Sequence, residues 1–341
     1  MKKIIQPKPE FMEKMKKLLS QADFEKYERI IQEPLLNSIR CNTLKISPEE
    51  LKKRLEEKGW KISRPWKDYP EVMIIESELQ PGELGRSIEH LLGYYYIQEL
   101  ASMLSIIALT PKQNELILDL CASPGSKTTQ MASQINNTGT IIANDVNIKR
   151  IQILASNLER CGVTNTIITR DDGIRLCEKF KLQDLKFDKI LLDAPCSGEG
   201  TMRSSPKTCL RWNQNTIKSL SKLQKKLFKN AFDILKPNGE IVYSTCTHAP
   251  EENEEVVDFA LKEFKDEIKI EEIKLPVKCR EGITEWTSDF AKYSPESKFE
   301  KSERGRELDK KYNEKVKFCA RIYPQDNNTE GFFIAKFKRI K

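Results

Sequence analysis

The chain has 341 residues, of which 38% are hydrophobic and 32% charged, and its formal net charge is +7. This composition is typical of a globular protein with a polar surface and excludes an intrinsically disordered chain. The mild basic excess is compatible with a polyanionic partner, but a lysine-rich solvated surface would show it equally well.

Cysteine spacing argues against a structural zinc site, and the apolar runs argue against a membrane or secreted protein. The two closest cysteines, Cys196 and Cys209, are 13 positions apart, so there is no Cys-x-x-Cys pair and structural zinc has little support. Free thiols inside apolar runs favour a reducing cytoplasm. No signal-peptide pattern and no run of about 18 apolar residues occurs. We therefore predict a cytoplasmic protein with no metal and no membrane partner.

The first hundred residues predict a small α+β unit. A helix is expected over 11–32, where apolar residues recur on one face. A second helix should begin at Pro48, directly after Ser47, and end at Gly59. The other expected elements are strands over 37–45 and 72–75, and an apolar helix over 88–109 that includes Tyr94, Tyr95 and Tyr96.

After Pro111 the pattern alternates between apolar strands and helices. The predicted strands cover 116–120, 140–145, 166–169, 187–193 and 239–244, with helices over 147–161 and 214–235. This alternation predicts an α/β fold with a mostly parallel, doubly wound sheet, in which ligands bind at the carboxyl ends of the strands. Mixed charges over 262–315 indicate a partly ordered insertion. The strand-like runs 316–321 and 331–337 should pair.

These elements divide the chain into three predicted parts. Residues 1–34 form a helical segment, residues 35–109 form a small α+β domain with a linking helix, and residues 110–341 form the doubly wound domain.

The turn after the first strand of this sheet, Asp119–Thr128, indicates a cofactor site. A dinucleotide fingerprint needs three glycines, and only Gly125 is present; a P-loop needs glycines where Cys121 and Ser126 stand. A turn at a helix N-terminus preceded by a carboxylate suits S-adenosylmethionine. Acidic residues follow the next two strands and could meet this ligand, Asp145 at the ribose and Asp172 at the adenine amino group, although each could instead be a cap or turn residue.

Two later strands end in cysteine motifs. Asp193 ends the fourth strand and Cys196 follows it, while Cys246 follows the fifth strand. One such cysteine could be a buried thiol, but two at neighbouring strand ends beside an aspartate favour a catalytic pair. Methylation of cytosine at C5 needs a thiolate that adds to C6, which makes C5 nucleophilic, and a carboxylic acid at N3 can stabilise the charge that develops on the ring.

Five segments together resemble the Fmu/Sun family of RNA cytosine-5 methyltransferases: Leu118–Thr129, Leu192–Thr201, Tyr243–Thr247, Pro250–Val256 and Gly331–Lys336. The resemblance extends from about residue 35 to the C-terminus. It implies a Rossmann-like class I methyltransferase domain preceded by a small RNA-binding-like domain, with an archaeal-type tRNA methylase as the expected member.

The resemblance also implies roles by position. Cys246 would be the nucleophile, Cys196 would help to release the product, and Asp193 would contact the base, with Lys127 at the same site. DNA cytosine methylases use the Pro-Cys thiol instead, so attack by Cys246 indicates RNA. The residues that would hold S-adenosylmethionine are Cys121, Ala122, Ser123, Pro124, Gly125, Ser126, Lys127, Asp145, Arg150, Asp172 and Asp193.

The substrate is expected to be tRNA, with rRNA second, and the protein is expected to be a monomer. Two alternatives stay open. A methyltransferase of the same fold could act on another base or on a protein and would not need Cys246, or the chain could be an inactive RNA-binding scaffold. His248 is expected to be a loop histidine rather than a catalyst.

Overall fold

The N-terminal segment folds as two helices. In the computed structural model, which describes residues 7–288 and 308–341, helix α1 (Pro9–Leu18) ends where the backbone becomes extended, and α2 (Gln21–Ile30) begins after Ser20. The Ser20 hydroxyl accepts a hydrogen bond from the Asp23 backbone N–H and so caps α2. The predicted single helix over 11–32 is wrong because the amphipathic pattern continues across a serine that starts a new helix.

An antiparallel sheet with the strand order β2-β3-β1-β4 follows. Its strands are β1 (Asn37–Cys41), β2 (Ile62–Ser63), β3 (Val72–Ile75) and β4 (Tyr95–Ile97). Helix α3 (Pro48–Glu57) packs on this sheet through the buried Leu51 and Leu55. Ser47 caps this helix, so its predicted start is confirmed.

The apolar stretch over 88–109 is not one helix. After the short α4 (Glu83–Arg86), it contains α5 (Ile88–Leu91), strand β4 and α6 (Leu100–Leu109). Gly93 follows α5 with a φ of 73°, and a Cβ there would lie 1.9 Å from the Arg160 carbonyl oxygen. Only glycine allows this backbone approach, which turns the chain into the strand that pairs with β1. The prediction of a continuous helix is therefore wrong.

The rest of the chain builds the predicted mostly parallel sheet, with the order β7-β6-β5-β8-β9. Its strands are β5 (Leu116–Asp119), β6 (Thr140–Asn144), β7 (Thr166–Thr169), β8 (Phe187–Asp193) and β9 (Leu235–Thr245). The helices between and after them are α7 (Ser126–Gln134), α8 (Ile148–Cys161), α9 (Gly173–Leu182), α10 (Lys207–Arg211), α11 (Gln214–Asp233) and α12 (Glu254–Glu263). Neighbouring β5 residues, Ile117 and Leu118, belong to apolar clusters on opposite faces of the sheet. The α/β doubly wound prediction is confirmed.

The C-terminal strands extend the sheet in the antiparallel direction. As predicted, β14 (Ala320–Ile322) pairs with β15 (Phe332–Arg339), and β15 also pairs with β9. Residues 314–318, part of which was predicted as strand, form a 3-10 helix, and a short helix α13 (Pro324–Asn327) precedes β15.

The segment predicted as an insertion, 262–315, contributes to the sheet in its described part. Strand β10 (Ile268–Glu271) pairs with β15, and β11 (Arg280–Glu281) pairs with β14. A separate hairpin joins β12 (Glu285–Ser288) and β13 (Leu308–Lys311). The rest of that prediction, 289–307, lies outside the described residues.

Arg40 links the N-terminal sheet to the first turn of helix α7. This buried side chain of β1 donates hydrogen bonds to the Ser126 carbonyl oxygen at 2.7 Å and to Thr129 Oγ1 at 2.8 Å. Burial lowers the pKa of Arg40 to about 10. The N-terminal sheet is thereby fixed against the start of α7. Within the described ranges, no helix has the length and apolar character needed to span a membrane.

Candidate active site

The loop between β5 and α7 forms one side of a site at the carboxyl edge of the sheet. It runs through Cys121, Ala122, Ser123 and Pro124 and reaches α7 at Gly125, whose φ is 101°. This left-handed backbone favours glycine, and a Cβ there would also approach Leu154 Cδ1 to 3.0 Å. The turn therefore presents the N-terminus of α7 toward the strand ends, as the sequence predicted.

Arg150 ties this loop to the end of β6. Its Nη2 donates to the Ser123 carbonyl oxygen at 2.6 Å, its Nε lies 3.3 Å from Asp145 Oδ2, and its own carbonyl accepts from Ser123 Oγ at 2.8 Å. Asp145 is 4% exposed, and its Oδ1 accepts from the Asn147 backbone N–H. The predicted cofactor residues from the first two strand ends therefore lie together.

Asp172 has a structural task. Its Oδ1 accepts hydrogen bonds from the backbone N–H groups of Ile174 and Arg175 at 3.0 and 3.2 Å, so it caps α9. This is the capping role that the sequence left open. A contact between Asp172 and adenine stays a prediction.

Lys127 and Asp193 form a partly buried ion pair between the first turn of α7 and the end of β8. Lys127 Nζ donates to Asp193 Oδ2 at 2.8 Å and to Ser102 Oγ at 3.0 Å, and Lys127 is 8% exposed. Asp193 Oδ1 accepts from Ser244 Oγ at 2.7 Å. Both carboxylate oxygens are thus fixed, which orients the acid at the strand end.

The two cysteines of the strand-end motifs lie in contact. Cys196 Sγ and Cys246 Sγ are 3.2 Å apart, and the residues that follow them are joined by a 2.8 Å hydrogen bond between Ser197 Oγ and Thr247 Oγ1. The hydrogen bond to Cys246 and burial together raise the pKa of Cys196 well above its ordinary value. One thiol of the pair therefore stays protonated at neutral pH.

Family models match both parts of the chain. Residues 106–338 match the model described as 16S rRNA methyltransferase RsmB/F, and residues 8–100 match the N-terminal domain of 16S rRNA methyltransferase RsmF. The chain belongs to the RsmB/F family of methyltransferases. This confirms the Fmu/Sun resemblance that the motifs indicated.

Individual relatives of this RsmB/F family member differ in length. A tRNA (cytosine(49)-C(5))-methyltransferase from Pyrococcus abyssi is 41% identical over 97% of this chain and 98% of its own. A ribosomal RNA small subunit methyltransferase F from Psychromonas ingrahamii is 37% identical over 97% of this chain, which spans only 63% of that protein. The crystal structure of NSun6 from Pyrococcus horikoshii with SFG is similar with a TM-score of 0.79 and 25% identity, covering 98% of both chains.

His248 of this family member is a packing residue. It is 2% exposed, stacks on Tyr323 with ring centroids 5.1 Å apart, and lies edge-on to Tyr27. Burial lowers its pKa to about 3, so its ring is neutral. This environment agrees with the expectation of a non-catalytic loop histidine.

Several side chains that shape the site were not predicted. Ser102 and Gln224 carry no motif signal, whereas Ser244 stands inside the quoted Tyr243–Thr247 segment and Glu252 inside Pro250–Val256. The motifs could have indicated the last two. The partners of the first two depend on tertiary packing alone. Among the described residues, no group of three or more His, Cys, Asp and Glu side chains could hold a metal ion.

Proposed function

We propose that this RsmB/F family member methylates C5 of cytosine in RNA, using S-adenosylmethionine, with Cys246 as the attacking thiol. The observation that carries the proposal is the 3.2 Å contact of the Cys196 and Cys246 sulfurs at neighbouring strand ends, beside Asp193. A methyltransferase acting on a protein or on an amino group has no need of a paired thiol at this place.

The first side of the site fits S-adenosylmethionine. Asp119 Oδ1 is buried and has no hydrogen-bond partner among the described residues, so it can accept from the ammonium group of the ligand. Burial raises the pKa of Asp119 to about 7, and a bound cation would favour its charged form. Asp145 supplies acceptors for the ribose hydroxyls of the ligand. The start of α7 supplies backbone donors for the carboxylate of the ligand. When bound, S-adenosylmethionine supplies an electrophilic methyl group.

The residues of the other side prepare the base. The Cys246 thiolate forms a bond to C6, which moves electron density to C5 and N3. The Asp193 carboxylate, held by Lys127 and Ser244, can accept a hydrogen bond from the amino group of the base, and the Lys127 ammonium beside it offsets the negative charge that develops on the ring. Once C5 carries the methyl group, the hydrogen on C5 leaves to solvent as a proton. The electrons of the C5–H bond re-form the C5–C6 double bond, and the Sγ–C6 bond breaks. The protonated thiol of Cys196 then stabilises the departing Cys246 thiolate by a hydrogen bond.

We favour tRNA as the substrate. The Pyrococcus relative, named for tRNA, has the same architecture because the match covers 98% of its length, whereas the rRNA relative is substantially longer. An rRNA substrate is the second candidate, and the family description supports it. Bisulfite sequencing of tRNA and rRNA from a deletion strain separates the two, because the methylated cytosine disappears from one pool. Unchanged methylation in both pools would contradict the proposed activity.

A trapped adduct tests the covalent step. Cys196→Ala protein should accumulate an RNA complex that survives denaturing electrophoresis, because attack proceeds and release is impaired. Adding Cys246→Ala should abolish the complex. Cys279→Ala, which removes a thiol that donates to the Val277 carbonyl oxygen, is the matched control and should trap nothing. A complex that persists without the Cys246 sulfur would show that another residue attacks.

RNA binding should depend strongly on salt. Phosphate contacts release counterions, so we expect at least about a tenfold loss of tRNA affinity between about 50 and 200 mM salt. Filter binding at constant pH measures this dependence. An affinity that does not change with salt would contradict docking through the RNA backbone.

A further inference from the structure

The segment Pro250–Val256 stands out in the sequence, yet the chemistry above does not use it. Its outer members have structural partners. Glu251 contacts Lys14 and Trp286, Glu254 pairs with Arg321, and Glu255 pairs with Lys225 and Lys310. The two central residues, Glu252 and Asn253, are fully buried and point toward the cysteine loops instead.

Asn253 holds the residues on both sides of Cys246, one by its side chain and one by its backbone. Its Oδ1 accepts from Thr245 Oγ1 at 2.6 Å, and its Nδ2 donates to the Thr247 carbonyl oxygen at 2.9 Å. Thr245, Thr247 and Asn253 are each at most 1% exposed. One amide side chain therefore fixes the residue before and the residue after the proposed nucleophile, with each of its polar groups satisfied in the orientation that only an amide provides.

Glu252 holds the backbone after Cys196 directly and the backbone before it through Gln224. Its Oε2 accepts from the Ser197 backbone N–H at 3.0 Å and from Gln224 Nε2 at 2.9 Å. The same Gln224 nitrogen donates to the Pro195 carbonyl oxygen at 2.9 Å. Burial raises the pKa of Glu252 to about 7, and its Oε1 has no partner in the described part of the chain.

The two holding residues are adjacent and cannot move independently. Tyr243 of β9 donates its hydroxyl to the Glu252 carbonyl oxygen at 2.5 Å, and α12 begins directly after Asn253. A rigid dipeptide thus carries one contact set for each cysteine loop.

We propose that Glu252 and Asn253 are positioning residues, with Asn253 placing Cys246 for attack and Glu252 placing Cys196 for release. The inference rests on the proposed function for its kinetic meaning, but the geometric claim stands apart from it. Loss of Asn253 should therefore slow the attack of Cys246, and loss of Glu252 should slow the release of the RNA.

Adduct kinetics separate the two roles. Glu252→Ala should trap the RNA adduct as Cys196→Ala does, because release fails. Glu252→Gln should restore most of the turnover, since its amide oxygen can accept both hydrogen bonds. Asn253→Ala in the Cys196→Ala background should form the adduct about 10 to 100 times more slowly at unchanged KM, because a misplacement of about 1 Å has costs of this size.

The rate of disulfide formation between Cys196 and Cys246 reports the distance between their sulfurs in the absence of RNA. Hydrogen peroxide takes two electrons and two protons from two thiols in contact, giving one disulfide and two waters. Mass spectrometry of the alkylated protein follows this intramolecular disulfide. We expect at least about tenfold slower formation in Glu252→Ala and Asn253→Ala, whereas Glu255→Gln, a partly exposed ion-pair variant of the same segment, should match the native protein.

The outcomes are distinct. Unchanged disulfide formation in both alanine variants would overturn the inference. Slower formation supports it even if no variant, including Cys196→Ala, ever traps RNA; the proposed function would then fail instead. If the alanine variants do not fold, the isosteric variants Asn253→Asp and Glu252→Gln test the inference in their place. Asn253→Asp turns a carboxylate oxygen toward the Thr247 carbonyl and should oxidise slowly, whereas Glu252→Gln should oxidise at the native rate; equal rates would overturn the inference.

Discussion

The ion pair at the start of α12 gives the sharpest stability prediction. Arg321 of β14 donates through Nε and Nη2 to the two carboxylate oxygens of Glu254 at 2.5 and 2.6 Å, and the side chains are 3% and 0% exposed. The remaining nitrogen donates to Tyr323 Oη and to the His248 carbonyl oxygen. Arg321→Met removes all these donors while keeping an apolar side chain of similar length.

The expected loss of stability in Arg321→Met follows from the contacts that Glu254 keeps. Without Arg321, the Glu254 carboxylate is buried with the Ile283 backbone N–H at 3.1 Å as its one remaining hydrogen-bond donor among the described residues. Breaking a buried pair in this way costs about 3–5 kcal/mol, mostly because a charge is left uncompensated. An unfolding entropy of about 2.1 cal/mol/K per residue gives about 0.7 kcal/mol/K for 341 residues, so the melting temperature should fall by roughly 4–7 °C.

Urea unfolding of a double-mutant cycle measures the pair. The variants are Arg321→Met, Glu254→Leu and the two combined. The combined variant should lose clearly less than the sum of the single losses, because no buried charge is left unpaired, and the coupling should reach at least about 2 kcal/mol. Additive losses, or a loss below about 1 kcal/mol for Arg321→Met, would refute the reasoning.

Two further predictions concern the site. Gly200→Ala would place a Cβ 2.3 Å from the Gly331 carbonyl oxygen, so the backbone that donates to the Cys246 carbonyl oxygen must shift. We expect about 1–3 kcal/mol lower stability and, when it is combined with Cys196→Ala, less trapped adduct than Cys196→Ala alone gives. Gly85→Ala, with nothing within 4 Å among the described residues, should preserve both the stability and the adduct yield. Because burial raises the pKa of Asp119 to about 7 from 3.8, the folded state binds its proton more tightly and the free energy of unfolding falls as pH rises between about 4 and 7. Urea unfolding should show a smaller fall in Asp119→Asn, and identical pH slopes would contradict this prediction. An adduct yield equal to that of Cys196→Ala alone would contradict the Gly200 prediction.

Sequence periodicity predicted the fold where a local pattern determines it. Apolar runs of four to seven residues marked the parallel strands, and Ser47 with Pro48 marked a helix start. Sequence periodicity failed where a contact with a residue far along the chain determines the local structure. Gly93 turns the chain because the Arg160 carbonyl oxygen lies against it, and no local pattern around Gly93 shows that neighbour. Strand β10 alternates apolar and polar residues over four positions only, and such a short pattern is not distinctive among the mixed charges around it until its pairing with β15 is known.

The site was predictable to the same extent. Strand ends of a parallel sheet meet at one edge, so the motifs that end in Cys196 and Cys246 had to approach each other. Asp172 has the right position but caps a helix, because an aspartate after a strand satisfies either demand. Gln224 could not be predicted, since a glutamine within an amphipathic helix has no signature until the loop that it supports is known.

Strand register explains why the two cysteines need a support of their own. Asp193 faces Ser244 across the parallel pair of β8 and β9, and each cysteine lies a few residues beyond its partner in this register. Both cysteines lie beyond the last paired residues of β8 and β9, so the ladder does not itself fix the 3.2 Å contact between their sulfurs. Beyond the strand ends the ladder stops, and the loop geometry depends on side-chain contacts together with the hydrogen bond from the Gly200 N–H to the Cys246 carbonyl oxygen. Glu252 and Asn253 supply such side-chain contacts from one rigid segment, which is why attack and release can each be tuned at a residue that does not touch the base.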